Sequence, residues 1–217
     1  PKPDKIKELR RSLLPQEIKR YRALGADAEA AMNAACNAIE PGLTEKEIAG
    51  HLVTSSWILG LTPVVVLVAV DERIRRFRHP LPTTKVLENT AMLVLSARRD
   101  GQIAALTRLV HFGKVSKELR KRHKAVSTVD AALHASTTPG AKIGEVLQLG
   151  IQEYEAQGFA KEWTLHHQGG PIGYEGRDLI ATPSTSDKVE SNQAFAWNPS
   201  IAGTKSEDTL LATNEGP

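Results

Sequence analysis

Leu-Val-Leu-Ser-Ala-Arg-Arg-Asp-Gly at residues 93–101, running on through Gln-Ile to Ala-Ala-Leu-Thr-Arg at 104–108, decides the fold class. Two apolar, β-rich runs flank Asp100-Gly101, a pair that readily takes the positive φ a tight hairpin turn requires. The stretch predicts an antiparallel hairpin with strands over Ala91–Ala97 and Ile103–His111. The turn sets the register, and side chains alternate across each strand. Leu93–Leu95 should therefore pair with Leu106–Val110.

Outward from the hairpin, Pro15 opens a helix that runs to Ile39, with a weak point at Gly25, and Pro41-Gly42 stops it. Thr44 and Glu47 have capping-box spacing and start a second helix at once. Thr62-Pro63 ends that helix, and the β-branched run Val64–Val70 reads as a strand. On the other side, Lys114–Ser136 and Ile143–Gln157 read as helices separated by Pro139-Gly140. Short strands are expected around Trp163–His166, Gln193–Trp197 and Thr209–Ala212. Helix, Pro-Gly, helix thus occurs twice, each time followed by strands. The pattern implies an α+β fold of two similar halves, with helices outside and an antiparallel sheet inside.

The composition of the 217 residues is that of a globular domain, 41% hydrophobic and 24% charged. The longest apolar run, Pro63–Val70, is far below the ~20 residues of a membrane span, which excludes membrane partners. A single cysteine, Cys36, sits in an alanine-rich helical stretch and reads as a buried thiol, not a nucleophile. With no signal-peptide pattern, a cytoplasmic protein is expected. Net charge is +3, and basic residues cluster at 5–22, 73–78 and 114–124. No aromatics interleave them for base stacking, so solvated helix faces are expected and a nucleic-acid partner is not. Pro1 in place of methionine and the turn-like Asn214-Glu215-Gly216-Pro217 read as the ends of one domain of a longer protein.

Five motifs, in order and well spaced, resemble the methionine aminopeptidase, prolidase and creatinase group, whose fold is called pita-bread. They are the 93–108 hairpin, Arg-His-Pro-Leu-Pro-Thr at 78–83, His-His-Gln-Gly-Gly-Pro-Ile-Gly-Tyr at 166–174, Asn-Pro at 198–199 and Ser-Glu-Asp-Thr at 206–209. The resemblance covers residues 15–217, leaving 1–14 as a lead-in. It implies that longer members carry an upstream N-terminal domain, which in them helps close the pocket and form dimers. Working members hold two divalent ions with two aspartates, a histidine and two glutamates. Matched by position, these fall on Val94, Ala105, Gly170, Asn198 and Glu207, and the resemblance implies that Val94 and Ala105 face the old metal cavity. Only Glu207 is such a ligand, and a dinuclear site needs several anionic donors. No metal cofactor is expected.

Without metal, proton transfer must come from an imidazole or a carboxylate. The resemblance places a substrate-side histidine at His79. It is the first choice for acid or base, against a rim histidine bonded to backbone. His166 and Glu207 are the other catalytic candidates. His166 and His167 would face opposite ways on a strand, so at most one enters the pocket. His167, Gln168, Gly169, Gly170, Thr107, Arg108 and Asn198 are the substrate-binding candidates. Gly169-Gly170 offers either close backbone approach to a ligand or a plain tight turn. Arg108 would grip a substrate carboxylate or pair with Glu207 or Asp208. Three readings stay open. One is a metal-independent hydrolase of peptide or small amide or amidine C–N bonds, for which creatinase is the implied precedent. Another is a non-catalytic binding module, a pseudoenzyme. The third is a metal-dependent Xaa-Pro aminopeptidase. The expected partner is a small molecule or short peptide, with a homodimer left open.

Overall fold

Pro15 sits at the first position of a helix that spans Pro15–Ala38 without a break at Gly25. Thr44 accepts the Glu47 N–H at 3.2 Å while Glu47 accepts the Thr44 N–H at 2.7 Å, the reciprocal cap its spacing demands. The structure is a computed structural model and describes residues 3–216. In chain order its elements are α1 (Pro3–Leu9), α2 (Pro15–Ala38), α3 (Glu45–Ile58), β1 (Thr62–Val70), α4 (Glu72–Arg76), β2 (Thr90–Arg99) and β3 (Gln102–His111). There follow α5 (Lys117–Ser136), α6 (Ile143–Ala156), β4 (Gly169–Ile172), β5 (Gln193–Trp197), β6 (Ser200–Ile201), β7 (Thr204–Lys205) and β8 (Asp208–Ala212). Among the described residues no helix is long and apolar enough to cross a membrane.

The two halves are visible as repeated hydrogen bonding. Gly42 has φ of 104° and its N–H donates to Leu87 O; Gly140 has φ of 91° and its N–H donates to Val189 O. In each half the chain then returns the bond, Leu87 N–H to Leu43 O and Val189 N–H to Ala141 O. The Pro-Gly pairs therefore do the same work twice: a left-handed glycine turns the chain into a helix and ties its start to a distant segment.

In the first half α2 and α3 cover one face of the antiparallel sheet β1-β2-β3, burying Leu24, Met32, Ile48 and Leu52 against Leu93 and Leu95. In the second, α5 and α6 cover β4-β5-β8, burying Val129, Leu133, Leu147 and Tyr154 with Phe195 and Trp197. The sheets meet at one bridge, Thr107 to Glu207, so the side chains of these two residues come together where the halves join. A two-stranded β6-β7 ladder lies beside them.

Asp100 and Gly101 have φ of 52° and 82°, and the hairpin register runs Leu93↔Arg108, Val94↔Thr107, Leu95↔Leu106 and Ser96↔Ala105. Two local expectations change. The segment at Trp163–His166 is a single 3-10 turn (Glu162–Leu165) leading into an extended His166, not a strand. The lead-in is docked on the second half: Arg10 pairs with Glu175 and Asp178, Arg11 with Asp187, and Leu13 is buried.

Candidate functional site

Alternation along β2 sends Met92, Val94 and Ser96 to the face opposite α2 and α3. There Val94 packs with Leu67, Ala69 and Ile74. A cavity of about 260 Å³ opens over this face, with Val65, Leu67 and Val94 as its apolar wall. Its polar lining is His79, Ser96, His167, Arg177, Asn198, Lys205 and Glu207. Ala105 shares Val94's face by register but is set back from the cavity. It is buried, and the Thr209 hydroxyl brackets it, donating to Ala105 O and accepting from Ala105 N–H.

Glu207 is the centre of the polar side. It is 3% exposed. Its Oε2 accepts from Thr107 Oγ1 at 2.7 Å and from Lys205 Nζ at 2.8 Å, and its Oε1 accepts from Arg177 Nη2 at 3.1 Å. Burial, the largest single influence, would push this carboxyl up. The Lys205 and Arg177 charges, with the Lys205 and Thr107 hydrogen bonds, outweigh it and bring the group down to about 2. Glu207 is thus a fixed anion at neutral pH. The cations that hold it are not Arg108, whose Nη2 instead meets Asp208 at 2.9 Å on another face. Neither Lys205 nor Arg177 stood out in the sequence. The Lys-Ser-Glu spacing at 205–207 was the available signal, since alternate strand residues share a face.

Three imidazoles cluster together, and two of them, His79 and His167, line the cavity. His79 stacks on His167 with centroids 5.5 Å apart and lies 5.9 Å from His166. Both members of the 166–167 pair therefore approach His79. Of the two, His167 lines the cavity and His166 does not; neither is on a strand, which begins two residues later. His166 is braced on both nitrogens. Nε2 is 3.0 Å from Asn198 O, and a carbonyl only accepts, so Nε2 carries the hydrogen; Nδ1 faces the Gln168 amide nitrogen at 3.3 Å. Gln168 is itself held by the Tyr154 hydroxyl at 2.9 Å. Neither His166 nor Gln168 is on the cavity lining. Burial depresses His166 to about 3 and, with Arg177, His79 and Lys205 nearby, His167 to about 4. His79 is lowered too, by burial first and then by Lys205. All three are neutral at pH 7.

Gly169 and Gly170 lie inside β4, opposite Trp197 and Ala196, and not on the cavity lining. Gly169 O accepts from Ala181 N–H, so this pair serves close strand packing, not ligand approach. Gly170 has φ of 148°, and a Cβ there would sit 2.6 Å from Leu179 O. Gly170→His should therefore cost about 2 kcal/mol or more through overpacking and backbone strain. Thermal or urea unfolding measures it, and wild-type stability in that variant would contradict the geometry. A larger groove of about 800 Å³ between α2 and β8 contains none of the histidines of this site.

Residues 19–214 match the model of metallopeptidase family M24. The chain belongs to this family. It is 24% identical to the Xaa-Pro dipeptidase of Lactobacillus helveticus over 97% of its own length and 60% of that protein's. It is 22% identical to an uncharacterized peptidase of Staphylococcus aureus, of which it covers 62%. Among solved structures, the prolidase of Pyrococcus furiosus superposes with a TM-score of 0.90 over 98% of this chain and 66% of that one, at 21% identity. The Xaa-Pro dipeptidase of Bacillus anthracis gives 0.88 over 97% and 62%, at 23% identity. The fold of this M24 chain is accordingly the pita-bread fold, and the chain spans about three-fifths of the length of these curated relatives.

Proposed function

We propose that this M24 chain works without metal, as a pocket for a small amide-bearing or peptide-like ligand in which His79 is the general base for C–N bond hydrolysis. The observation that carries the reading is the saturation of Glu207 by Lys205, Arg177 and Thr107. Fixed cations occupy both oxygens of the one family metal-ligand type retained at its position. Two unit charges of like sign 4 Å apart repel by about 4 kcal/mol at an effective dielectric of 20, and a divalent ion doubles that. Val94 offers no lone pair, and a histidine at Gly170 would meet Leu179 O. Among the described residues no three His, Cys, Asp or Glu are grouped to hold a metal ion. These side chains do not fit a dinuclear centre.

The chemistry available is proton transfer beside fixed charge. A water held by neutral His79 attacks the amide carbon, and its proton passes to the imidazole. The oxyanion that forms is stabilised by Lys205, whose ammonium uses one hydrogen on Glu207 and has two left. The C–N bond then breaks, the imidazolium returns the proton to the departing nitrogen, and acid and amine are released. His79 stands exposed at the mouth, where a water can reach it, and its Pro80 neighbour is buried and anchors the loop.

Elemental analysis of the purified chain, with Mn²⁺ and Co²⁺ titration, tests the metal-free half. Less than one ion per chain is expected, with no saturable heat. Two tightly held ions per chain would refute it. A screen of dipeptides, Xaa-Pro peptides and small amides in chelator tests the hydrolytic half. Tight binding of a protein or nucleic acid with no turnover would replace it with a binding module.

A further inference from the structure

The cavity's own chemistry narrows the ligand, and the narrowing rests on the metal-free reading above. Three buried atoms of its polar lining have no hydrogen-bond partner, His167 Nδ1, Arg177 Nε and Asn198 Oδ1, and the last belongs to the most deeply buried of the three residues. Asn198 is 2% exposed, and its Oδ1 has no hydrogen-bond partner. A buried carbonyl oxygen left unpaired costs about 1–3 kcal/mol, so a ligand offering an N–H there recovers that cost. Lys205, 4% exposed, has unused N–H groups in the same cavity.

Charge decides the rest. Of the acids and bases lining the cavity, Lys205 and Arg177 are the cations and Glu207 the sole carboxylate. That leaves one net positive charge, with the imidazoles neutral. Glu207 has both oxygens engaged, so no acid is free to receive a ligand ammonium. A free α-amino group would enter beside two cations with nothing to pair it. The wall of Val65, Leu67 and Val94 takes an apolar group, and about 260 Å³ is just under the ~300–1,000 Å³ of drug-sized pockets. That is room for one residue, not an extended peptide.

We infer that the cavity takes an N-acylated amino acid: a monoanion with its carboxylate on Lys205, its neutral amide N–H on Asn198 Oδ1 and its side chain or acyl group on Val94. A free-amine dipeptide, which is zwitterionic, fits it poorly.

Isothermal titration of the full chain in EDTA, with N-acetylglycine, glycylglycine and N-acetylglycinamide as probes, reads this directly. N-acetylglycine should bind at least about tenfold more tightly than either of the others, a difference of about 1.4 kcal/mol. Asn198→Asp, which removes the net positive charge, should erase that preference, and its melting curve shows whether it folds. The wild-type comparison needs no variant and stands if this one fails to fold. Equal or tighter binding of glycylglycine in EDTA, or no heat from N-acetylglycine up to about 10 mM, would overturn the ligand class. Metal-free binding without the preference overturns that class alone. Binding of glycylglycine that appears only on adding Mn²⁺ would instead bring down the metal-free reading.

Discussion

On the proposed mechanism, His79→Ala should lower chelator-resistant amide hydrolysis by at least about a hundredfold, the lower end of what a positioned general base contributes. His134→Ala, its control, changes it less than about twofold. The contrast rests on placement. His79 lines the cavity with its ring stacked on His167, whereas His134 is on α5 and pairs with Asp130 at 3.3 Å. His166 cannot substitute, because Asn198 O and the Gln168 amide occupy its two nitrogens. Glu207 cannot either, being held ionised at about 2. The pH profile carries the same signature. Burial and the Lys205 charge lower the His79 pKa, so the active, neutral form is gained as pH rises through a value below the ordinary histidine range. The rate should climb on the acid side of neutrality and be flat by pH 7. Chelator-resistant turnover that survives His79→Ala would sink the mechanism.

Glu207→Gln costs about 3–5 kcal/mol of stability, because it leaves Lys205 and part of Arg177 buried without their anion. Lys205→Met alone should also destabilise. Combining the two should cost less than the sum of the single changes, as coupled partners do. The pH dependence has a definite sign. The folded carboxyl sits at about 2 against an ordinary 4.5, so its contribution is fully present above 4.5 and is lost as pH falls through about 2. The shift is worth roughly 3 kcal/mol at 1.36 kcal/mol per unit. Urea melts of wild type and Glu207→Gln between pH 7 and pH 2 measure it: the stability gap should narrow as pH falls. A gap that stays constant to pH 2 would show that Glu207 is not the titrating partner.

The framework of this M24 chain was legible because it is local. Asp100-Gly101 must turn, Thr44 and Glu47 must cap, and Gly42 and Gly140 each allow a left-handed stop, so helices, hairpin and the twofold repeat follow from neighbours in the chain. The motif order placed His79, Asn198 and Glu207 within one pocket lining for the same reason: strands and turns of set length put them there. Where local pattern was weak, as at Trp163–His166 and the four-residue β4, assignment failed, because long-range pairing with Trp197 and Ala196 shapes that segment.

What the chain order alone determined, then, is the α+β framework, its two halves and the residue types at each motif position. Which cations surround Glu207 was decided only by tertiary structure. Arg108 is 99 positions away in the chain and Arg177 30, but strand alternation sends Arg108 to the opposite face while the loop after β4 swings Arg177 inward. The two-sided bracing of His166, the orphaned oxygen of Asn198 and the closed space at Gly170 are likewise properties of distances between segments. Side-chain direction, packing and desolvation set them, and none of these is written in spacing along the chain.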